Sequence, residues 1–355
     1  MPGCCVPECR NRSEGGYQLF RVPIAQNDDL RRKVWLDCIN RRELQTRTLI
    51  CEKPNFSVQF KLIHTMKVLI LFLTTLTLAS CYTSIVLWHG FANAYTVESI
   101  NEVKMNLEAD FPGIHIKVLQ IGDTAVRDFV NSIMMHPDKQ IDIACKSVRS
   151  DIKLQKGYIG IGFSQGGLLL RGLAQRCSYP QMKKMITMGS MHQGIYGIPM
   201  CNVTYSICDM IRRIYSMFVY SQFVQNNFVQ ATYWHNPLNQ EAYKKYNTFL
   251  TDINNENYIN QTYIKNLNAL EKFVMVKYTN ERFVVPPDSE WFGFYKKNNS
   301  DITESLQQSQ TFVKDRLGLR QMYKTGKLDF LTVPWNHVEF HWNWFKENIV
   351  NKYIV

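Results

Sequence analysis

The sequence predicts an α/β protein built on a buried parallel sheet, and three observations point there. Tyr158-Ile159-Gly160-Ile161-Gly162 is a short uninterrupted apolar run, the form taken by a strand covered on both faces. Through Gly162-Phe163-Ser164-Gln165-Gly166 it passes directly into Leu168–Ala174, which reads as the packed face of a helix. Further strand-like runs stand at Ser84–Trp88, Lys272–Tyr278 and Phe330–Val333.

The strand-to-helix junction carries the chemistry. Gly-x-Ser-x-Gly arises by chance often enough to mean little alone, but here a buried strand precedes it and a helix follows. The glycines allow a sharp turn and a close approach of helix to strand, so that the Ser164 hydroxyl is lifted above the sheet edge at a helix N-terminus. That is the nucleophile elbow of α/β-hydrolases. A serine hydroxyl needs a base, and the base an orienting carboxylate, in the chain order serine, acid, histidine. Lys272–Tyr278 ends at Glu281, and Phe330–Val333 leads to His337, so these are the expected acid and base. Asp288 and His341 stand as alternatives. The closing helix is expected at Trp344–Ile354. Backbone N–H groups of Gln165 and Phe91 are the expected oxyanion donors, the latter in the loop His89-Gly90-Phe91 after the early strand. His89 has no cluster of metal-ligating residues about it and is read as shaping that loop. No metal or organic cofactor is required.

Ahead of this domain the chain changes character. Met66 opens MKVLILFLTTLTLASCYTS, with a basic Lys67, an apolar core of roughly a dozen residues and small residues at Ala79 and Ser80, the form of a secretory signal peptide. Its internal position suggests translation of the enzyme from Met66; in the full chain it acts only as a short signal anchor. Within residues 1–65, roughly the first 56 resemble a truncated THAP-type zinc finger, a DNA-binding module, on four features: Cys5 with Cys9, Phe20-Arg21-Val22-Pro23, Trp35 in a basic stretch, and Cys51. The resemblance places a histidine ligand where Pro54 stands, and His64 lies at the wrong spacing. Three ligands hold zinc weakly, so the segment is read as a remnant or a gene-model fusion. The expected organisation is 1–65, a signal-like 66–80 and a hydrolase domain 81–355 with a helical insertion at about 190–270.

The chain from Thr83 onward resembles palmitoyl-protein thioesterases through VLWHG, KLQKGYIGIGFSQGG, LAQRC, HQGIYGIP, YWHNP, LNALEKFVMVK, DSEWFGFY and KDRLGL. The resemblance implies an α/β-hydrolase fold whose helical insertion helps form an acyl groove. It implies a nucleophile at Ser164, a histidine at His337 and an acid at Glu281, where the family has aspartate. Two further departures lie at Phe91-Ala92-Asn93-Ala94 and Gly189-Ser190-Met191. It also implies disulfides Cys145–Cys177 and Cys201–Cys208, and hence an oxidising compartment. Asn202, Asn260 and Asn298 begin glycosylation sequons, which suit a mannose-type receptor and delivery to the lysosome through the secretory pathway, with secretion as a second destination. Met210, Ile211, Ile214 and Phe218 form one helical stripe in the insertion, where the acyl groove is expected.

The expected activity is hydrolysis of long-chain fatty acyl thioesters on cysteines of lipidated proteins or peptides. A general lipase or carboxylesterase using the same triad is one alternative; a DNA-binding protein through the N-terminal segment is the other. The net charge of +11 comes from scattered residues, with one cluster at Arg31, Arg32, Lys33, Arg41 and Arg42. It reads as a solvated basic surface, and no nucleic-acid partner is expected for the mature enzyme.

Overall fold

Ser84–Trp88 and Tyr158–Phe163 are buried along their whole length, as central strands of a parallel sheet must be when helices cover both faces. The computed structural model describes residues 19–21, 49–51, 82–198 and 206–354, and the chain divides into two units, Met1–Tyr82 and Thr83–Ile354.

In the first unit, β1 (Leu19–Arg21) pairs antiparallel with β2 (Leu49–Cys51), Leu19 opposite Cys51. The expected zinc ligands Cys5 and Cys9, and the signal-like 66–80, lie outside the described residues.

The second unit holds a parallel six-stranded sheet. Its strands are β3 (Ser84–Trp88), β4 (Ile116–Val118), β5 (Tyr158–Phe163), β6 (Met182–Met188), β7 (Lys272–Tyr278) and, after a small hairpin of β8 (Phe294–Tyr295) with β9 (Thr303–Glu304), β10 (Leu328–Val333). The spatial order is β10-β7-β6-β5-β3-β4. The early strand and Lys272–Tyr278 fall where the sequence placed them; the last strand begins two residues earlier, at Leu328. In such a sheet the strand carboxyl ends share one edge, and loops leaving that edge build the site. β3 leads to His89, β5 to Ser164, β7 to Glu281 and β10 to His337.

The elbow helix, Gln165–Arg176, runs back along the sheet and is buried over nearly its full length. Cys177, its C-cap, is bonded to Cys145 of the helix Pro137–Ser150, with Cα atoms 5.9 Å apart. Closing a loop of 32 residues restricts the unfolded chain by about 3–4 kcal/mol. Cys208 is also disulfide-bonded; Cys201 and Asn202 lie outside the described residues.

Between β6 and β7 the described chain is a series of helices, from Ser206–Phe218 to Gln261–Asn268. The insertion is fixed to the elbow helix by Arg171, fully buried, which donates to Ile253 O at 3.0 Å, His192 O at 3.1 Å and Asn254 Oδ1 at 2.8 Å. The closing helix starts two residues earlier than expected, as Trp342–Phe345, and widens into a π-helical stretch, Lys346–Ile354. No helix among the described residues is long and apolar enough to cross a membrane.

Candidate active site

Ser164 sits at the elbow with φ 53° and ψ −124°, a backbone conformation that side chains rarely adopt and that the tight turn enforces. The flanking glycines are steric requirements: a Cβ on Gly166 would lie 2.2 Å from the His89 carbonyl oxygen, and one on Gly162 2.4 Å from Gly167 Cα. Gly90 packs so closely on the serine that its Cβ would stand 3.1 Å from Ser164 Cβ.

A continuous chain of hydrogen bonds starts at this serine. The Ser164 hydroxyl meets His337 Nε2 at 2.8 Å, and His337 Nδ1 meets Glu281 Oε2 at 2.6 Å. With Nδ1–H donating to the carboxylate, Nε2 is left with its lone pair toward the hydroxyl. The Glu281 side chain is fully buried. Its second oxygen, Oε1, accepts the N–H groups of Phe283 at 2.6 Å and Val284 at 3.0 Å, so the loop after β7 holds one carboxylate oxygen and His337 the other. Burial opposes its ionisation, but the hydrogen bond with His337, the electrostatic pull of that ring and the Phe283 N–H prevail and hold its pKa at about 2. Phe283 also stacks on the imidazole, ring centroids 5.1 Å apart.

The alternatives for acid and base are engaged elsewhere. Asp288 pairs with Lys277 Nζ at 3.1 Å and accepts from Thr303 Oγ1 at 2.8 Å. His341 is exposed and packs edge-on against Trp335.

Phe91 lies in the wall of the cavity of about 560 Å³ onto which Ser164 and His337 open. Gln165 is the first residue of the elbow helix, where an N–H has no partner within the helix. The Gln165 side chain is held away by its own bonds to Ser132 O at 2.8 Å and the Tyr233 hydroxyl at 3.1 Å. His89 shapes the loop, as expected. Its Nδ1 meets Gly90 O at 2.9 Å and its Nε2 meets Asp128 Oδ2 at 3.0 Å, while Asp128 also accepts the N–H groups of Tyr95 and Ile121, each at 2.7 Å. Asp128 carries no local signal in the sequence, because its side-chain partner His89 lies 39 residues away along the chain and its other partners are backbone groups.

A second, apolar cavity of about 440 Å³ shares Phe91 and Gln230 with the first. Ile211, Ile214 and Phe218 of the insertion line it opposite Ile133, whereas Met210 of the same stripe is 52% exposed and takes no part.

Glu281, Glu290 and His337 bring one ligating atom each within 4.8 Å of one another, as a cation site does. Both imidazole nitrogens are already committed, to Ser164 and Glu281, so the cluster offers a cation no free imidazole lone pair. Of the sequons, Asn298 is exposed in a turn, and Asn260 caps Gln261–Asn268, its Oδ1 accepting from Thr262 and Tyr263.

A parallel sheet with an elbow serine, followed in the chain by an acid and a histidine that meet it over the strand ends, defines a serine hydrolase of the α/β-hydrolase fold. Residues 84–337 match the family model of palmitoyl protein thioesterase, and residues 4–57 match that of the THAP domain. The chain is 36% identical over 272 residues to palmitoyl-protein thioesterase 1 of Caenorhabditis elegans, covering 76% of this chain and 91% of that protein. It is 31% identical to palmitoyl-protein thioesterase 3 of Dictyostelium discoideum, covering 76% and 90%. The human lysosomal thioesterase PPT2 is 24% identical, covering 70% and 79%. The chain belongs to the palmitoyl protein thioesterase family, and it is a thioesterase.

Proposed function

We propose that this enzyme removes long-chain fatty acyl groups, palmitate foremost, from cysteine thioesters of S-acylated proteins or peptides, with Ser164 as nucleophile, His337 as base and Glu281 as its orienting acid. The observation that carries this reading is the adjacency of two cavities: the serine opens onto one, and an apolar one of about 440 Å³ shares the lining residues Phe91 and Gln230 with it. An acyl chain in the second presents its thioester carbonyl in the first, and each buried CH₂ contributes about 0.8 kcal/mol of affinity.

His337 takes the Ser164 proton as Oγ attacks the carbonyl carbon. The N–H groups of Gln165 and Phe91 receive the oxyanion, and the imidazolium is balanced by Glu281. Collapse expels the cysteine thiolate, which takes up the proton from His337 and leaves an acyl-serine. Water then attacks that ester with the same histidine as base, and the fatty acid departs.

The proposed setting is the lysosome, reached through the secretory pathway from a product beginning at Met66. N-glycans on Asn202, Asn260 and Asn298 are the handle for a mannose-type receptor. The disulfide at Cys145 and Cys177 suits an oxidising route. The THAP-like segment is taken as a remnant with no part in the mature enzyme. Turnover of matched palmitoyl thioesters and oxygen esters, long and short, tests this reading. Preference for the long-chain thioester is expected; cleavage of oxygen esters with no thioester turnover overturns it in favour of a general esterase.

A further inference from the structure

Behind the triad lies a second carboxyl group. Glu290, on the 3-10 turn Pro287–Trp291, is 1% exposed, and its Oε2 accepts the Tyr278 N–H at 2.8 Å. Its Oε1 is buried with no hydrogen-bond donor among the described residues. One oxygen of Glu290, one of Glu281 and a His337 nitrogen lie within 4.8 Å of one another. Two carboxylates so close in a dry site cannot both be ionised. Donor count decides which keeps the charge: Glu281 receives His337 Nδ1–H and two backbone N–H groups, whereas Glu290 receives one.

We propose that Glu290 is a positioning residue of the triad: a neutral carboxylic acid whose Oε1–H donates to the Glu281 carboxylate, fixing the longer acid side chain against His337. This rests on the triad reading above and extends it. The arrangement gives Oε1, which has no other hydrogen-bond partner among the described residues, an acceptor, and keeps a second negative charge away from the imidazole.

The charged and titratable groups facing Glu290 are Glu281, His337, Tyr278 and Lys277. Lys277 is diverted, since its Nζ pairs with Asp288 Oδ1 at 3.1 Å and lies 4.3 Å from the centroid of the Trp291 ring. Burial first, and then Glu281, push the Glu290 carboxyl well above the usual carboxylate range, against the Tyr278 N–H and Lys277. A raised acid holds its proton at low pH and loses the neutral contact as pH rises through the raised value. The Glu290–Glu281 bond is thus intact in acid and comes apart on the alkaline side.

The test is the pH profile of kcat and KM for wild type, Glu290→Gln and Glu290→Ala, with a thermal melt for each. The Gln amide still donates but cannot ionise, so Glu290→Gln should stay within about threefold of wild type in acid and remain active further into alkali. Glu290→Ala should lose roughly tenfold to a hundredfold in kcat with little change in KM, the cost of a displaced catalytic group. An unchanged kcat in Glu290→Ala, or a Gln variant as defective as Ala with the wild-type alkaline limb, overturns the proposal. A second measurement needs neither variant folding nor thioester turnover: the infrared difference spectrum of wild type before and after Ser164 is labelled with a fluorophosphonate. A carboxylic-acid C=O band perturbed by labelling is expected, and its absence overturns the proposal. If wild type labels but cleaves no thioester, the functional reading fails on its own and the spectrum still decides the role of Glu290.

Discussion

Glu281 Oε2 stands 2.6 Å from His337 Nδ1, so a glutamate closes the proposed triad at a position where the resemblance implied an aspartate. The extra methylene is absorbed by the loop after β7, which turns the carboxylate back so that its other oxygen caps the N–H groups of Phe283 and Val284. The acid thus orients its own loop as well as the histidine.

Shortening this side chain should be costly even though aspartate is chemically equivalent. Glu281→Asp leaves the loop built for a longer residue, and an error of about 1 Å at a catalytic group costs on the order of a hundredfold. Steady-state kcat of Glu281→Asp is the check: a fall of roughly tenfold to a hundredfold is expected, smaller than that of Glu281→Gln.

Acid stability should carry the mark of the same residue. Its pKa of about 2 lies below the ordinary carboxylate value, so its contribution is present above that ordinary value and is lost as pH falls toward about 2. Urea midpoints measured from about pH 6 down to about pH 2 should fall less steeply in Glu281→Gln, which cannot take up that proton. Parallel curves for the two proteins would count against the hydrogen-bonded Glu281 carboxylate as the source of that stability.

The apolar cavity makes a prediction about chain length. A charge placed at Ile214, on its wall, should raise KM for palmitoyl substrates while leaving short acyl thioesters nearly unaffected, because only the long chain reaches that wall. With about 0.8 kcal/mol lost for each CH₂ no longer buried, Ile214→Glu should lower kcat/KM for the palmitoyl substrate by roughly tenfold or more. Equal losses on long and short chains would place the acyl chain elsewhere.

Removing the bond between Cys145 and Cys177 by paired serine substitutions should lower stability by about 3–4 kcal/mol, read as a shift in the denaturation midpoint at unchanged slope. kcat of the folded fraction should hold, since neither cysteine lines the cavity at Ser164 or the apolar one beside it.

The fold and the residues of the proposed triad were legible because both write local signals. Tyr158–Phe163 and Lys272–Tyr278 are continuous apolar runs, and Ser164 is bracketed by glycines that only a tight elbow demands. Glu281 and His337 follow from chain order and strand ends. Glu290 was hidden because its role comes from lying near Glu281, and in sequence it is one of two carboxylates, with Asp288, that open the aromatic stretch DSEWFGFY. Its place directly before that aromatic run was the available clue. Asp128 gave no clue, since its purpose is to hold the N–H groups of Tyr95 and Ile121 and the ring of His89. Met210 shared a helical stripe with Ile211 and Ile214, but spacing shows only that residues share a face, not how far a cavity extends along it.

The most direct measurement is kcat for a palmitoyl-cysteine thioester with wild type, Ser164→Ala and Glu281→Gln expressed from Met66. The account predicts a loss on the order of 10⁴ to 10⁶ for the serine variant and about 10³ to 10⁴ for the glutamine variant, the latter from an imidazole held in the wrong tautomer. A Glu281→Gln enzyme with wild-type turnover would contradict it and move the search for the acid to Asp288.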